Sequence, residues 1–238
     1  MGKIQRWILV GVGCLGMLVT GVALPAQIFI SGDPVAIAGD LPPPPADDAI
    51  AGRADLETIL QVQADRTPDQ EARARRVASH TPFLMGSAVM GAWFTPENLP
   101  RTAAIMQAVR KQTSQVASVL KACWDRPRPS ARDPRVYPCV PVPTNSSYPS
   151  GHSTAAAVWA AVFTAAFPEH AADFAAQAQE TRWARILGGV HFPSDVQAGR
   201  LLGERIAARM LASPEMPGAL AEMRAEVAAY RAQHGAAD

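Results

Sequence analysis

Three short stretches of this 238-residue chain carry side chains whose types and spacing suit the handling of a phosphate. The first runs from Lys121 to Pro129 and sets a lysine seven residues ahead of the Arg128-Pro129 pair. Arginine offers a planar fork that matches phosphate oxygens, while lysine acts as a compact point charge. Arg126 stands two residues early for this spacing and reads as a bystander. The second stretch is Ser147-Tyr148-Pro149-Ser150-Gly151-His152. Its end falls at a loop-to-helix junction, where free N–H groups and the positive end of a helix dipole favour an anion. Gly151 would let an oxyanion approach the backbone closely. The third stretch places Arg185 six residues ahead of His191, and His191 four ahead of Asp195. That spacing puts the carboxylate within reach of the far imidazole nitrogen, which fixes a tautomer and supports an imidazolium. Gly188-Gly189 permits a bend that turns Arg185 toward the same space.

Each stretch alone has a plainer reading: a capping serine, solvated charges at a turn, a structural histidine. Together they supply three cations, a backbone anion nest and two histidines, one with a carboxylate partner. His80, His170 and His234 lack comparable neighbours in sequence and read as surface or packing residues. No His-Glu-x-x-His or paired Cys-x-x-Cys pattern is present, and no Walker loop or Gly-x-Ser-x-Gly elbow. The expectation is phosphoryl transfer with no metal and no cofactor.

The elements that must position these groups read as helices. Segments rich in Ala, Leu, Arg, Glu and Gln, with apolar spacing near 3.6, predict helices at about 49–65, 68–79, 82–92, 97–123, 153–167, 169–187, 193–212 and 214–233. Pro68, Pro82, Pro96, Pro168, Pro193 and Pro214 sit near the starts, where a missing N–H costs little. Thr67 and Ser213 are expected N-caps. Between about 124 and 149 seven prolines exclude a continuous helix, and a loop this long in a compact domain is commonly functional. The expected architecture is a single-domain, all-α helical bundle with a long Pro-rich active-site loop. Phe83, Met85, Trp93 and Phe94 read as core before pocket, and substrate preference is expected to come from the first half of the chain and the 130–146 loop.

The N-terminus has another character. Lys3 and Arg6 precede an apolar run from Trp7 to Leu24, followed by Ala36-Ile37-Ala38. This is the pattern of a secretory signal peptide over residues 1–38, with an earlier alternative cleavage around Pro25-Ala26 and an uncleaved anchor as the rival reading. Residues 39–48, with Pro42 to Pro45, then form a proline-rich arm ahead of the domain that runs to residue 238. Cleavage after Ala38 removes Lys3, Arg6 and Asp33 and turns 22 basic against 21 acidic side chains into an exact balance. Cys14 also leaves. Cys123 and Cys139 remain as a candidate disulfide in an oxidising compartment, or as two buried thiols. A balanced charge argues against nucleic-acid binding, and mean hydropathy near zero argues against several membrane spans. The expectation is a periplasmic or secreted protein with small phosphate esters as partners, no stable span after processing, and a homo-oligomer left open.

The order Lys-x6-Arg-Pro, Pro-Ser-Gly-His and Arg-x5-His-x3-Asp resembles the type 2 phosphatidic acid phosphatase superfamily. The Leu41-Pro42-Pro43-Pro44-Pro45 start, Ser147 to His152 and Ser194 to Arg200 look most like its secreted bacterial class A nonspecific acid phosphatases. The likeness extends from about Leu41 to about Tyr230. It implies an all-α domain in which His191 attacks phosphorus, Asp195 orients it, and His152 protonates the leaving oxygen and then activates water. It assigns Lys121, Arg128, Ser150, Gly151 and Arg185 to the phosphate oxygens. Lipid or isoprenoid-diphosphate phosphatases and vanadate-dependent haloperoxidases share this motif set. One departure is Ala184, where the family often has serine.

Overall fold

The computed structural model describes residues 29–235, so the basic and apolar part of the leader, residues 1–28, lies outside the described residues. The helices in chain order are α1 Pro34–Ala38, α2 Ile50–Asp65, α3 Pro68–Ala78, α4 Pro82–Met90, α5 Pro100–Trp124, α6 Pro129–Arg132, α7 Gly151–Ala166, α8 Ala171–Leu187, α9 Pro193–Leu211 and α10 Met216–His234, with a 3-10 turn at Pro168–His170 ahead of α8. The described residues contain no strand. The all-α expectation holds.

Local chemistry accounts for most boundaries. Proline occupies the first helical position of α3, α4 and α9. Thr67 caps α3 in a reciprocal box with Gln70. Four starts differ from the sequence reading by two or three residues, those of α5, α7, α8 and α10, and turns account for the first and last. Thr95 closes a separate turn by accepting from Asn98 and Leu99, which delays α5 to Pro100. Ser213 accepts the Met216 N–H through its carbonyl in another turn, so α10 begins at Met216 and Ser213 is not its cap.

The core forms around α7, whose buried Ala156, Val158, Trp159, Val162 and Phe163 pack against α5, α8 and α9. Phe94, Met106, Phe174, Leu202 and Met210 complete the main cluster. Met85 and Phe94 lie in this core, with Phe83 and Trp93 packed against it. The approach of α9 to α7 is unusually close. A Cβ on Gly199 would lie 2.4 Å from the Ser150 carbonyl oxygen, and one on Gly203 would lie 2.5 Å from that of Thr154. Spaced four apart, the two glycines clear one face of α9 and bring the start of α7 onto the start of α9.

Three further findings refine the sequence reading. Phe29, Ile37, Ala38 and Leu41 are buried in the main cluster, and the Phe29 and Ile30 N–H groups donate to Gln112 Oε1 at 2.9 and 3.0 Å. The last ten residues of the stretch assigned to the signal thus pack on the domain. The proline-rich loop contains the single turn α6 and is tied down by Gln63, which bonds the Arg135 carbonyl and the Tyr137 N–H. Cys123 and Cys139 are free thiols here, so the candidate disulfide is not formed. Cys123 Sγ faces the Val119 carbonyl on the exposed side of α5, while Cys139 Sγ faces the Leu187 carbonyl.

Candidate active site

Four helix ends converge on the motif residues. The C-terminal end of α5 brings Lys121, and the chain just beyond it brings Arg126 and Arg128. The first turn of α7 brings Ser150, Gly151 and His152, the last turn of α8 brings Arg185, and the bend after it brings His191. Gly189 makes that bend at φ 71°. Asp195 stands in the first turn of α9, where its carboxylate accepts the Phe192 N–H at 2.9 Å. The two histidine-bearing segments are joined directly, because the Ser150 N–H donates to the Asp195 carbonyl at 3.0 Å and Ser153 Oγ donates to the Val196 carbonyl at 2.6 Å.

His191 is 1% exposed and held from both nitrogens. Arg128 Nη1 lies 3.0 Å from its Nε2. A guanidinium only donates, so Nε2 carries the lone pair and Nδ1 the proton. That proton faces Asp195 Oδ2 at 3.4 Å. Burial lowers the His191 pKa to about 3, reinforced by the Arg128 and Lys121 charges and opposed by Asp195. The imidazole is therefore neutral, with its Nε2 lone pair engaged by Arg128. Burial alone would raise the Asp195 pKa, but His191, Arg126 and Ser147 outweigh it and hold the carboxyl at about 2.

His152 is fixed from behind. Its Nε2 lies 3.2 Å from the Ala78 carbonyl at the end of α3, which can only accept, so Nε2 bears a proton. Any proton delivered to a substrate must then reside on Nδ1. Burial and the Arg185 charge push the His152 pKa down to about 4, against the pull of the Ala78 carbonyl. An anion between Arg185, Arg128 and Lys121 would cancel part of that field and raise it.

Arg185 is only 1% exposed, yet its Nε and Nη1 have no partner. Burial, then the Arg128 charge, lowers its pKa to about 10. Arg128 is held by the Asn145 and Val190 carbonyls at 3.0 and 2.8 Å. Lys121 Nζ donates to the Ser146 carbonyl at 2.6 Å, and burial followed by the Arg128 charge lowers its pKa to about 7. Ser150 Oγ accepts from the Ser153 N–H as the helix cap. All eight motif residues singled out from the sequence come together at one site.

Several neighbours were not legible. Arg126, read as a bystander, is 5% exposed and bridges Asp195 Oδ1 at 2.6 Å and Asp55 Oδ2 at 2.9 Å. Its guanidinium also sits 4.3 Å from the centre of the Phe192 ring. Asp55, from α2, accepts the Ser194 N–H at 3.0 Å and so anchors the start of α9. Ser147 donates to Asp195 Oδ2 at 2.6 Å. His80, expected to be a surface or packing residue without partners, stacks on Trp159 at 4.5 Å and lies edge-on to His152 at 6.1 Å. His170 and His234 behave as expected, the first half-exposed beside Asp173 and the second stacked on Tyr230.

In this all-helical domain, arginines, a lysine and histidines from four helix ends gather into one buried cationic cluster, an arrangement suited to handling a phosphoryl group. The chain belongs to the PAP2 superfamily, whose family model matches residues 102–217, and it is an enzyme of the phosphatase type. It is 31% identical over 196 residues to the non-specific acid phosphatase of Salmonella typhi, covering 79% of this chain and 78% of that one. It is 36% identical over 92 residues to the lipid A 1-phosphatase of Rhizobium johnstonii, covering 37% of this chain and 38% of that one. Among solved structures, a bacterial vanadium-dependent iodoperoxidase superposes with a TM-score of 0.56 at 17% identity, over 73% of this chain and 52% of that one. At that identity the likeness is one of fold.

Proposed function

We propose that this chain is an exported acid phosphatase that hydrolyses phosphate monoesters through a phosphohistidine intermediate, without a metal. One observation carries the reading: the buried Arg185 guanidinium has two unpartnered nitrogens. A buried, uncompensated charge is costly, and a phosphate oxygen supplies what is missing. The donor set is cationic, and its one carboxylate, Asp195, is already engaged by Arg126, Ser147, Phe192 and His191. Such a set suits an anion.

In this account the phosphate binds between Lys121, Arg128 and Arg185, with the first-turn N–H groups of α7 completing the cradle. Arg128 Nη1 leaves His191 Nε2 for a phosphate oxygen, freeing the lone pair. Nε2 attacks phosphorus as the ester P–O bond breaks, and Asp195 stabilises the charge that develops on the ring. His152 Nδ1–H protonates the departing oxygen. In the second step neutral His152 takes a proton from water, whose oxygen attacks phosphorus and releases His191 and inorganic phosphate. The need for a protonated His152 supports an acid optimum.

Two rival activities have distinct signatures. Similarity to lipid A 1-phosphatases over 92 residues favours a lipid phosphate as a second reading, and a haloperoxidase would oxidise halide once loaded with vanadate. The discriminating assay compares p-nitrophenyl phosphate hydrolysis with and without EDTA, phosphate release from micellar lipid phosphates, and halide oxidation with vanadate. Full p-nitrophenyl phosphate turnover in EDTA, exceeding the other two activities, is expected. Loss in EDTA that zinc restores would overturn the metal-free account.

Export belongs to the same proposal. The packing of Phe29, Ile37 and Ala38 favours cleavage around Pro25-Ala26 over cleavage after Ala38, since the later cut would strip buried side chains from the domain. No helix among the described residues is long and apolar enough to cross a membrane. N-terminal sequencing of the exported protein separates the two cleavage positions.

A further inference from the structure

A cavity of about 220 Å³ adjoins the site, sharing Lys121, Gly151 and His152 with it. Beyond them its polar lining includes His80, Arg110, Ser114, Ser118 and Asn145, while Trp159 and two alanines give it an apolar side. Arg110, Ser114 and Ser118 follow at four-residue spacing along α5 and lead to Lys121, so one helix face spans both regions. From Arg110 to Lys121 this face rises about 16 Å. Among the described residues the lining contains no carboxylate, and Arg110 stands exposed at its outer end. The α5 wall is thus hydroxyl-bearing and cationic at both ends.

His80 adds a directional group. Thr181 Oγ1 donates its one proton to the Gln177 carbonyl at 3.0 Å. Its 3.3 Å contact with His80 Nδ1 therefore requires Nδ1 to be the donor. A neutral His80 then carries its lone pair on Nε2, which is buried and has no partner. Burial, with the charges of His152, Arg185 and Arg110, keeps this ring neutral. An unpaired buried acceptor is unfavourable until a donor reaches it.

We propose that this cavity is a leaving-group subsite for a hydroxylated phosphomonoester carrying a second anionic group, with Arg110 as counter-charge and His80 Nε2 as hydroxyl acceptor. The proposal rests on the phosphomonoesterase reading above and narrows it to a substrate class.

The test uses the full chain and three substrates: p-nitrophenyl phosphate, glucose 6-phosphate and 6-phosphogluconate. The last two are both hydroxylated, and only 6-phosphogluconate bears a carboxylate at its far end. The ratio of kcat/KM for 6-phosphogluconate over glucose 6-phosphate should exceed one in the wild type. It should fall about fivefold in Arg110→Gln, recover in Arg110→Lys, and shrink with added salt. His80→Phe keeps an aromatic ring on Trp159 and removes the acceptor. It should lower the ratio of glucose 6-phosphate to p-nitrophenyl phosphate about fivefold, with His80→Gln as the acceptor-retaining control. A 6-phosphogluconate ratio that Arg110→Gln leaves unchanged overturns the second-anion assignment, and a sugar ratio that His80→Phe leaves unchanged overturns the acceptor. Calorimetric binding of the two sugar phosphates to His191→Ala protein, with and without Arg110→Gln, separates the levels. Absence of all turnover counts against the phosphatase reading, whereas equal binding of the two sugar phosphates counts against the subsite.

Discussion

In the proposed mechanism a single imidazole tautomer decides whether His191 can attack phosphorus, and the groups that choose it extend well beyond the motif. Arg128 faces Nε2 and Asp195 faces Nδ1, while Arg126 ties Asp195 to Asp55 through two buried ion pairs. Removing the cation leaves two buried carboxylates without their shared counter-charge, held only by neutral donors. We expect Arg126→Leu to cost about 3–5 kcal/mol of stability and to lower kcat roughly 100-fold, measured by urea unfolding and p-nitrophenyl phosphate hydrolysis. Asp55→Asn, which keeps the shape, should lower kcat much less. Wild-type kcat in Arg126→Leu would remove Arg126 from the account. This is also where sequence reading met its limit. Lys121, Arg128, His152, Arg185, His191 and Asp195 were legible because their types and spacing suit one chemistry within short stretches. Asp55 lies 71 residues from Arg126, and only tertiary packing shows that Arg126 serves the carboxylate instead of the phosphate. The Ala78 carbonyl that orients His152 belongs to the backbone, so no side-chain type announces it.

Helix ends carry the site, and the packing of α7 on α9 sets their relative positions. The helices themselves were readable from proline positions and apolar spacing, with errors where a turn absorbed the cap, as at Ser213. The contact that matters most was not readable, because Gly199 and Gly203 within an amphipathic helix look like ordinary small residues. A Cβ at Gly199 would meet the Ser150 backbone and the Ser153 side chain, and neither can withdraw without moving the first turn of α7. Gly199→Ala should therefore destabilise the protein by about 1–3 kcal/mol and lower activity together with stability. The checks are the denaturant midpoint and kcat/KM on one preparation. A normal midpoint would show that α9 can shift away freely. The short α1 is a different case: in sequence its residues read as the end of a signal peptide, and in the fold they pack on α5 and α9.

At the scale of the whole molecule, near-neutral charge conceals a strong local concentration. Lys121, Arg128 and Arg185 converge on one position, and His80, His152 and His191 sit in their field. All three histidines have pKa values lowered by burial, to about 3, 4 and 3. Between those values and the ordinary 6.5 the unfolded chain binds more protons than the folded one, so their contribution is complete above 6.5 and lost as pH falls. The melting temperature should therefore be lower at pH 5 than at pH 7 by at least about 5 °C, and inorganic phosphate should raise it by mass action. A flat profile would contradict the buried, neutral histidines. The central claim is that His191 Nε2 becomes phosphorylated, and the most direct measurement is rapid quenching into alkali during turnover, followed by mass spectrometry of the peptides. The account predicts one phosphoryl group on His191, formed and discharged as fast as the enzyme turns over, and absent from His191→Ala. Phosphate on another residue, or undiminished turnover by His191→Ala, would contradict it.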